Sequence, residues 1–179
     1  MKPLKEFVIP FVGLKEGQHH FEFKVDDTFF EYFEYEDFNN VDVVVNMSLN
    51  KKATLLELHF EAEGKVNINC DVTNEPYNES INNAFDLVVK FGDEFNDENT
   101  DILIVPHGTY EINVQQYVYE LIVLAVPLKR IHPGVEDGSL DSDILKKLEE
   151  LSPKIEKEKK SEGEIDPRWN TLKKLLTDK

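Results

Sequence analysis

The sequence predicts an α+β fold: a mostly antiparallel β body with one buried helix, followed by a helical, partly mobile C-terminal tail. Three observations predict it. Runs of β-branched and aromatic residues alternating with polar ones fill most of the first seventy positions, one apolar segment near residue 114 changes to helical spacing, and the composition turns polar beyond Pro133. A chain of 179 residues buries roughly two thirds of its unfolded surface, enough for one core with a helical appendage. The expected division is an acidic body over 1–133 and a charged tail over 134–179.

Short strands are expected in "EFVIPFVGL" and in "HHFEFKV", where Phe21, Phe23 and Val25 alternate with Glu22 and Lys24. "DDTFFEYFEYEDF" stays open between strand and a short helix capped by Asp26 or Thr28, with Phe29 and Phe33 on one face. "VDVVVNMSL" and "ATLLELHFEAEG" read as strands. Glu63-Gly64-Lys65 reads as a turn into "VNINC", making Thr54 to Cys70 a hairpin with Cys70 at a strand end. "FDLVVKF" supplies a further strand, "GDEFNDENTD" an acidic mobile loop, and "ILIVP" a short buried strand. Two apolar rows, one through Ile112, Gln115, Val118, Ile122 and Val126, predict a well buried helix over Val114 to Val126 that Pro127 stops. In the tail, "SLDSDILKKLEEL" reads as an amphipathic helix and "SPKIEKEKKSEGEI" as a charged linker. "DPRWNTLKKLL" reads as a closing helix with Asp166 as N-cap, its Trp169, Leu172 and Leu176 docking back or waiting for a partner.

Charge narrows the function further. Of the net −16, Met1 to Pro127 holds 8 Lys+Arg against 24 Asp+Glu, whereas Leu128 to Lys179 balances 12 against 12. An acidic body repels phosphate backbones and attracts cationic molecules; the same acidity also serves solubility. No apolar run is long enough to span a bilayer, and the N-terminal segment lacks a signal-peptide core, so a cytoplasmic protein without membrane or DNA contacts is expected. The one cysteine rules out an internal disulfide and agrees with a reducing compartment.

Catalytic and metal chemistry find little support. Cys70 stands beside Asp71 and Glu75, which would raise a thiol pKa rather than activate it, and the second position of a C-x-x-C is taken by Thr73. The five histidines show no ligand spacing, and no Gly-rich phosphate loop is present. The expectation is therefore no enzyme, no catalytic residue, no metal and no cofactor. Glu120 interrupts an apolar helix and is expected either to be buried with Arg130 or a tyrosine hydroxyl as partner, or to contact a binding partner. For Lys129 and Arg130 the plainer reading is a favourable charge at the helix C-terminus.

The ordered blocks "VNINCDVTNEPY", "VVKFGDE", "YVYELIVLAVPLKRIHP" and "DPRWNTLKKL" resemble those of the YceD family, the large ribosomal RNA subunit accumulation proteins, over roughly 67–179. The acidic N-terminal half is similar in character to members from Bacteroidetes. The resemblance implies a non-enzymatic factor for accumulation or processing of 23S rRNA in large-subunit assembly. Family genes often lie beside that of a small basic ribosomal protein. That is consistent with a basic ribosomal protein or a pre-ribosomal particle as partner of the acidic body; RNA contact, expected to be mainly indirect, stays open through the tail, where Lys146, Lys147, Lys157, Lys159 and Lys160 could approach it. The matching positions are Cys70, Glu75, Pro76, Phe91, Glu120, Pro127 and His132, and Lys129 and Arg130 join them as candidate binding residues. Family members commonly carry a C-x-x-C and a later cysteine, which this chain lacks; Cys70 then reads as the remaining half of a metal-type turn, now packing at a strand end.

Overall fold

A strand with one buried face needs apolar side chains at every second position, and the longest alternating runs here become the longest strands. The structure is a computed structural model and describes residues 4–141 and 143–152. A 3-10 turn at Lys5–Phe7 leads through β1 (Val8–Ile9), β2 (Gly17–Val25) and α1 (Asp27–Tyr32) into β3 (Asn40–Lys51), β4 (Leu55–Asn69) and β5 (Pro76–Gly92). Then follow β6 (Asn96–Asn99), β7 (Ile102–Pro106), β8 (Ile112–Asn113), α2 (Gln115–Val123), α3 (Pro133–Glu136) and α4 (Asp143–Leu151). Six strands form one sheet in the order β2-β3-β4-β5-β7-β6, antiparallel throughout except for the parallel pair β5 and β7. β1 and β8 pair separately. The fold is α+β, as the sequence predicts.

Val41, Val43, Val45, Met47 and Leu49 of β3 and Leu56, Leu58, Phe60, Ala62, Val66 and Ile68 of β4 all point to one face and are buried. Their neighbours, such as Asp42, Asn46, Glu61 and Lys65, face outward and are exposed. The segment left open between strand and helix is α1. Asp26 caps it, accepting from the Thr28 N–H at 3.0 Å, and its turn sends Phe29 and Phe30 into the core. Phe29 meets Phe7 at 4.8 Å and Phe33 at 5.2 Å, and Phe33 stacks on Tyr119 of α2 at 4.3 Å. The Lys51 ammonium donates to the carbonyls of Phe11 and Leu14 at 2.9 and 2.8 Å, pinning the β1–β2 connection to the end of β3.

Three local expectations change. Glu63-Gly64-Lys65 is no turn: β4 runs unbroken from Leu55 to Asn69, with Gly64 opposite Val43 on one side and Ile81 on the other. Glycine is needed there because a Cβ would lie 2.3 Å from the Asp42 carbonyl oxygen and 2.6 Å from the Val43 Cα. The acidic "GDEFNDENTD" segment contains edge strand β6, held by pairing with β7 rather than by any apolar pattern of its own. The helix is also shorter than expected. α2 covers Gln115–Val123, Ile112 belongs to β8, and Leu124 is 77% exposed. Only one face is buried, through Gln115, Val118, Leu121 and Ile122. At its start the Gln115 N–H donates to the side-chain oxygen of Asn113 at 2.9 Å, and Asn83 of β5 donates to the Leu121 carbonyl at 3.1 Å.

The described residues up to Asp141 form one compact unit, and α4 belongs to a second that begins at Asp143. Within α4, Ile144, Leu145, Leu148 and Leu151 fall on a helical stripe, as "SLDSDILKKLEEL" predicts. The linker from Pro153, the closing helix and the docking of Trp169, Leu172 and Leu176 lie outside the described residues.

Candidate partner-binding site

Five of the candidate residues meet at one end of the sheet. β4 ends at Asn69, and the chain turns back into β5 through Cys70 to Glu75: the Cys70 N–H donates to the Glu75 carbonyl at 2.9 Å and the Asn74 N–H to the Cys70 carbonyl at 2.8 Å. Asn74 takes the left-handed conformation, φ 59°, which asparagine tolerates better than most residues. Pro76 then opens β5. Against this turn runs the connection from α2 to α3. The Asp71 N–H donates to the Arg130 carbonyl at 2.7 Å, the Arg130 N–H donates to the Asp71 carboxylate at 2.9 Å, and the His132 N–H donates to Cys70 Sγ at 3.3 Å. His132 caps α3 through Nδ1, which accepts from the Gly134 N–H at 2.9 Å, and its ring meets Tyr77 edge-on at 5.5 Å.

Cys70 is 2% exposed. Burial pushes its thiol up, but N–H donors from His132, Thr73 and Val72 together with the Thr73 hydroxyl outweigh it and hold the thiol below its ordinary value. This corrects the expectation that Asp71 and Glu75 raise it. Burial, then the neighbouring Glu79 carboxylate, pushes the Tyr77 phenol up to about 12. No group of three or more His, Cys, Asp or Glu among the described residues is placed to hold a metal ion. The donors converging on a single buried sulfur make this a packed turn that fastens the β body to the segment after α2.

The remaining candidates lie elsewhere. Phe91 is fifteen positions beyond Pro76 on β5, on the order of 50 Å along an extended strand, where its ring meets Phe11 at 5.8 Å. Pro127 and Lys129 are exposed in the connection, four and six residues past the end of α2. Lys129 and Arg130 therefore do not sit on the helix C-terminus. Arg130 instead reaches Asp37 at 3.3 Å. Glu120 is exposed rather than buried and accepts from Gln116 Nε2 at 2.7 Å, so neither Arg130 nor a tyrosine hydroxyl is needed to compensate it. It stands on the rim of a groove of about 710 Å³ between α2 and the β7–β6 edge, a feature that sequence reasoning missed. Its sequence signals were Phe95, an aromatic residue inside an acidic segment, and Leu124, an apolar residue off the buried face of α2.

Together these features define an α+β scaffold with an acidic outer surface and a lateral groove, and no helix among the described residues is long and apolar enough to cross a membrane. The family model for the large ribosomal RNA subunit accumulation protein YceD matches residues 58–176, and the chain belongs to that family. No curated protein and no solved structure matches it. The match begins within β4, so β2, α1 and β3 precede the matched region.

Proposed function

We propose that this protein is a cytoplasmic ribosome-biogenesis factor that supports 23S rRNA accumulation or processing and large-subunit assembly by binding rather than by catalysis. Its partner is a basic ribosomal protein or a pre-ribosomal particle, with any RNA contact indirect. Family membership supports the link to large-subunit rRNA. The observation that carries the binding mechanism is the placement of charge: among residues 4–127 every Asp and Glu is exposed or half-exposed, and only 7 of these residues are Lys, with no Arg. Such a surface concentrates cationic partners and repels bare phosphate. The turn of Cys70, Glu75 and Pro76 with Arg130 and His132 contributes by fixing the segment after α2 against the body.

Quantifying precursor and mature 23S rRNA in a deletion strain, with and without the restored gene, tests the reading. Accumulation of precursor that the wild-type gene reverses is the expected result. Unchanged rRNA would leave an acidic protein-interaction module without a ribosomal role.

A further inference from the structure

On the inner face of the sheet α1 packs over β3 and α2 over β4 and β5, while the β7–β6 edge lies beyond them. There the groove beside Glu120 opens. Its floor is apolar, formed by Leu103 and Val105 of β7 and by Phe85 of β5, whose ring lies nearly parallel to that of Tyr117 at 6.1 Å. At its lip stand two large apolar side chains that the fold leaves in solvent, Phe95 at 59% and Leu124 at 77% exposure. An apolar depression edged by exposed apolar residues marks a contact site more often than a monomer surface does.

Charge indicates what fits. Asp97, Glu111 and Glu120 line the groove, and none of its lining residues is Lys, Arg or His. Their field reaches the interior: burial first, then Asp97 and Glu120, pushes the Tyr117 phenol above its ordinary value. An RNA strand or an anionic metabolite would meet repulsion on every side. A purely apolar ligand would leave the three carboxylates unused. A cationic chain with apolar side chains satisfies both parts, burying its apolar groups on Leu103, Val105 and Phe85 while its ammonium or guanidinium groups meet the rim.

We propose that this groove is the docking site for a lysine- or arginine-bearing protein segment with apolar anchors, supplied by the basic partner. The inference rests on the binding function proposed above and adds where and by what chemistry contact is made. The apolar lip anchors the segment, and the acidic rim selects it.

Labelled synthetic peptides titrated into the full chain, read by fluorescence anisotropy, test it. One peptide alternates lysine with leucine and the other lysine with serine. The lysine–leucine peptide is expected to bind more tightly, and to lose at least about tenfold in affinity, the loss expected at a contact hot spot, in Phe95→Ser/Leu124→Ser and in Asp97→Lys/Glu120→Lys. All four side chains are exposed, so the core is untouched. Neutralising Glu57 and Glu61 on the opposite face, by Glu57→Gln/Glu61→Gln, should change affinity less than about twofold because those charges are screened by solvent and protein. Equal binding of both peptides, equal loss from the opposite-face variant, or no loss from the groove variants would each overturn the proposal. So would displacement of the peptide by an RNA oligonucleotide, or a wild-type dimer that Phe95→Ser/Leu124→Ser converts to monomer, which would make a second copy the occupant. If a variant fails to fold, chemical-shift mapping of the wild-type chain with the lysine–leucine peptide decides: shifts at Leu103, Val105 and Tyr117 support the groove, and shifts confined elsewhere refute it. Complementation of 23S rRNA accumulation separates the two levels. Groove variants that complement like wild type remove the groove and keep the ribosomal role, whereas a wild-type gene without effect on 23S rRNA removes the role whatever the peptide does.

Discussion

The His132 backbone N–H donates to the Sγ of Cys70 at 3.3 Å, joining residues 62 positions apart and closing the connection after α2 onto the end of β4. Because Cys70 is buried and its sulfur is already an acceptor, Cys70→Ala leaves that N–H without its partner and opens a small void. A loss of about 1–3 kcal/mol is expected in denaturant unfolding. Native-state thiol labelling should be far slower than in the unfolded chain despite the lowered pKa, because reagent access and not thiolate content limits it. Labelling at the unfolded rate would contradict this packing.

Asp71 holds the same connection from the other side, through its own N–H and its carboxylate. Asp71→Ala keeps the first bond and removes the second. Hydrogen exchange at the Arg130 amide should accelerate by about fivefold, corresponding to a loss of about 1 kcal/mol, while amides in the centre of β4 keep their protection. Unchanged exchange at Arg130 would show that this bond does not hold the segment.

Gly64 is predicted to be among the least replaceable residues of the sheet. Gly64→Ala places a methyl group against the backbone of Asp42 and Val43, and backbone cannot turn aside as a side chain can. Destabilisation of about 1–3 kcal/mol or more is expected, measured as a shift in the urea midpoint. A neutral result would mean that β3 and β4 separate there at little cost.

On the outer face, His59 bonds Asp86 at 2.6 Å and Glu61 at 3.3 Å. The Asp86 contact first, then Glu61, raises its pKa above the ordinary 6.5. A histidine with a raised folded-state pKa contributes stability that is fully present below its unfolded pKa and is lost as pH rises through the folded value. At a side chain 43% exposed this contribution stays below about 1 kcal/mol. NMR titration of His59 should give a pKa above 6.5, and Asp86→Asn should move it down. A wild-type value at or below 6.5 would refute the pairing.

How far the fold was legible in the sequence follows from where the determining contacts lie. β3 and most of β4 were readable because Val41 to Leu49 and Leu56 to Ala62 alternate within themselves. Gly64 misled because the atoms that demand a glycine belong to Asp42 and Val43 on another strand, and a glycine without its neighbour looks like a turn. β6 was hidden for a similar reason, since its pairing with β7 supplies what "NDEN" lacks in apolar pattern. At the candidate site, Cys70, Glu75, Pro76 and His132 were found through a family resemblance, whereas Asp71, Asp37 and Tyr77, which hold Arg130 and His132 in place, form long-range contacts that spacing does not encode. Of the two readings of Glu120, burial is the one that its exposure overturns. Interrupting an apolar run suggests burial only if the helix is buried all round, and α2 buries one face.

Crosslinking the full chain in low-salt lysate and identifying the bound molecules tests the central claim most directly. The account predicts a basic large-subunit protein that crosslinks to the acidic body and is released as salt rises. Recovery of RNA alone, or of no ribosomal component at any salt, would contradict it.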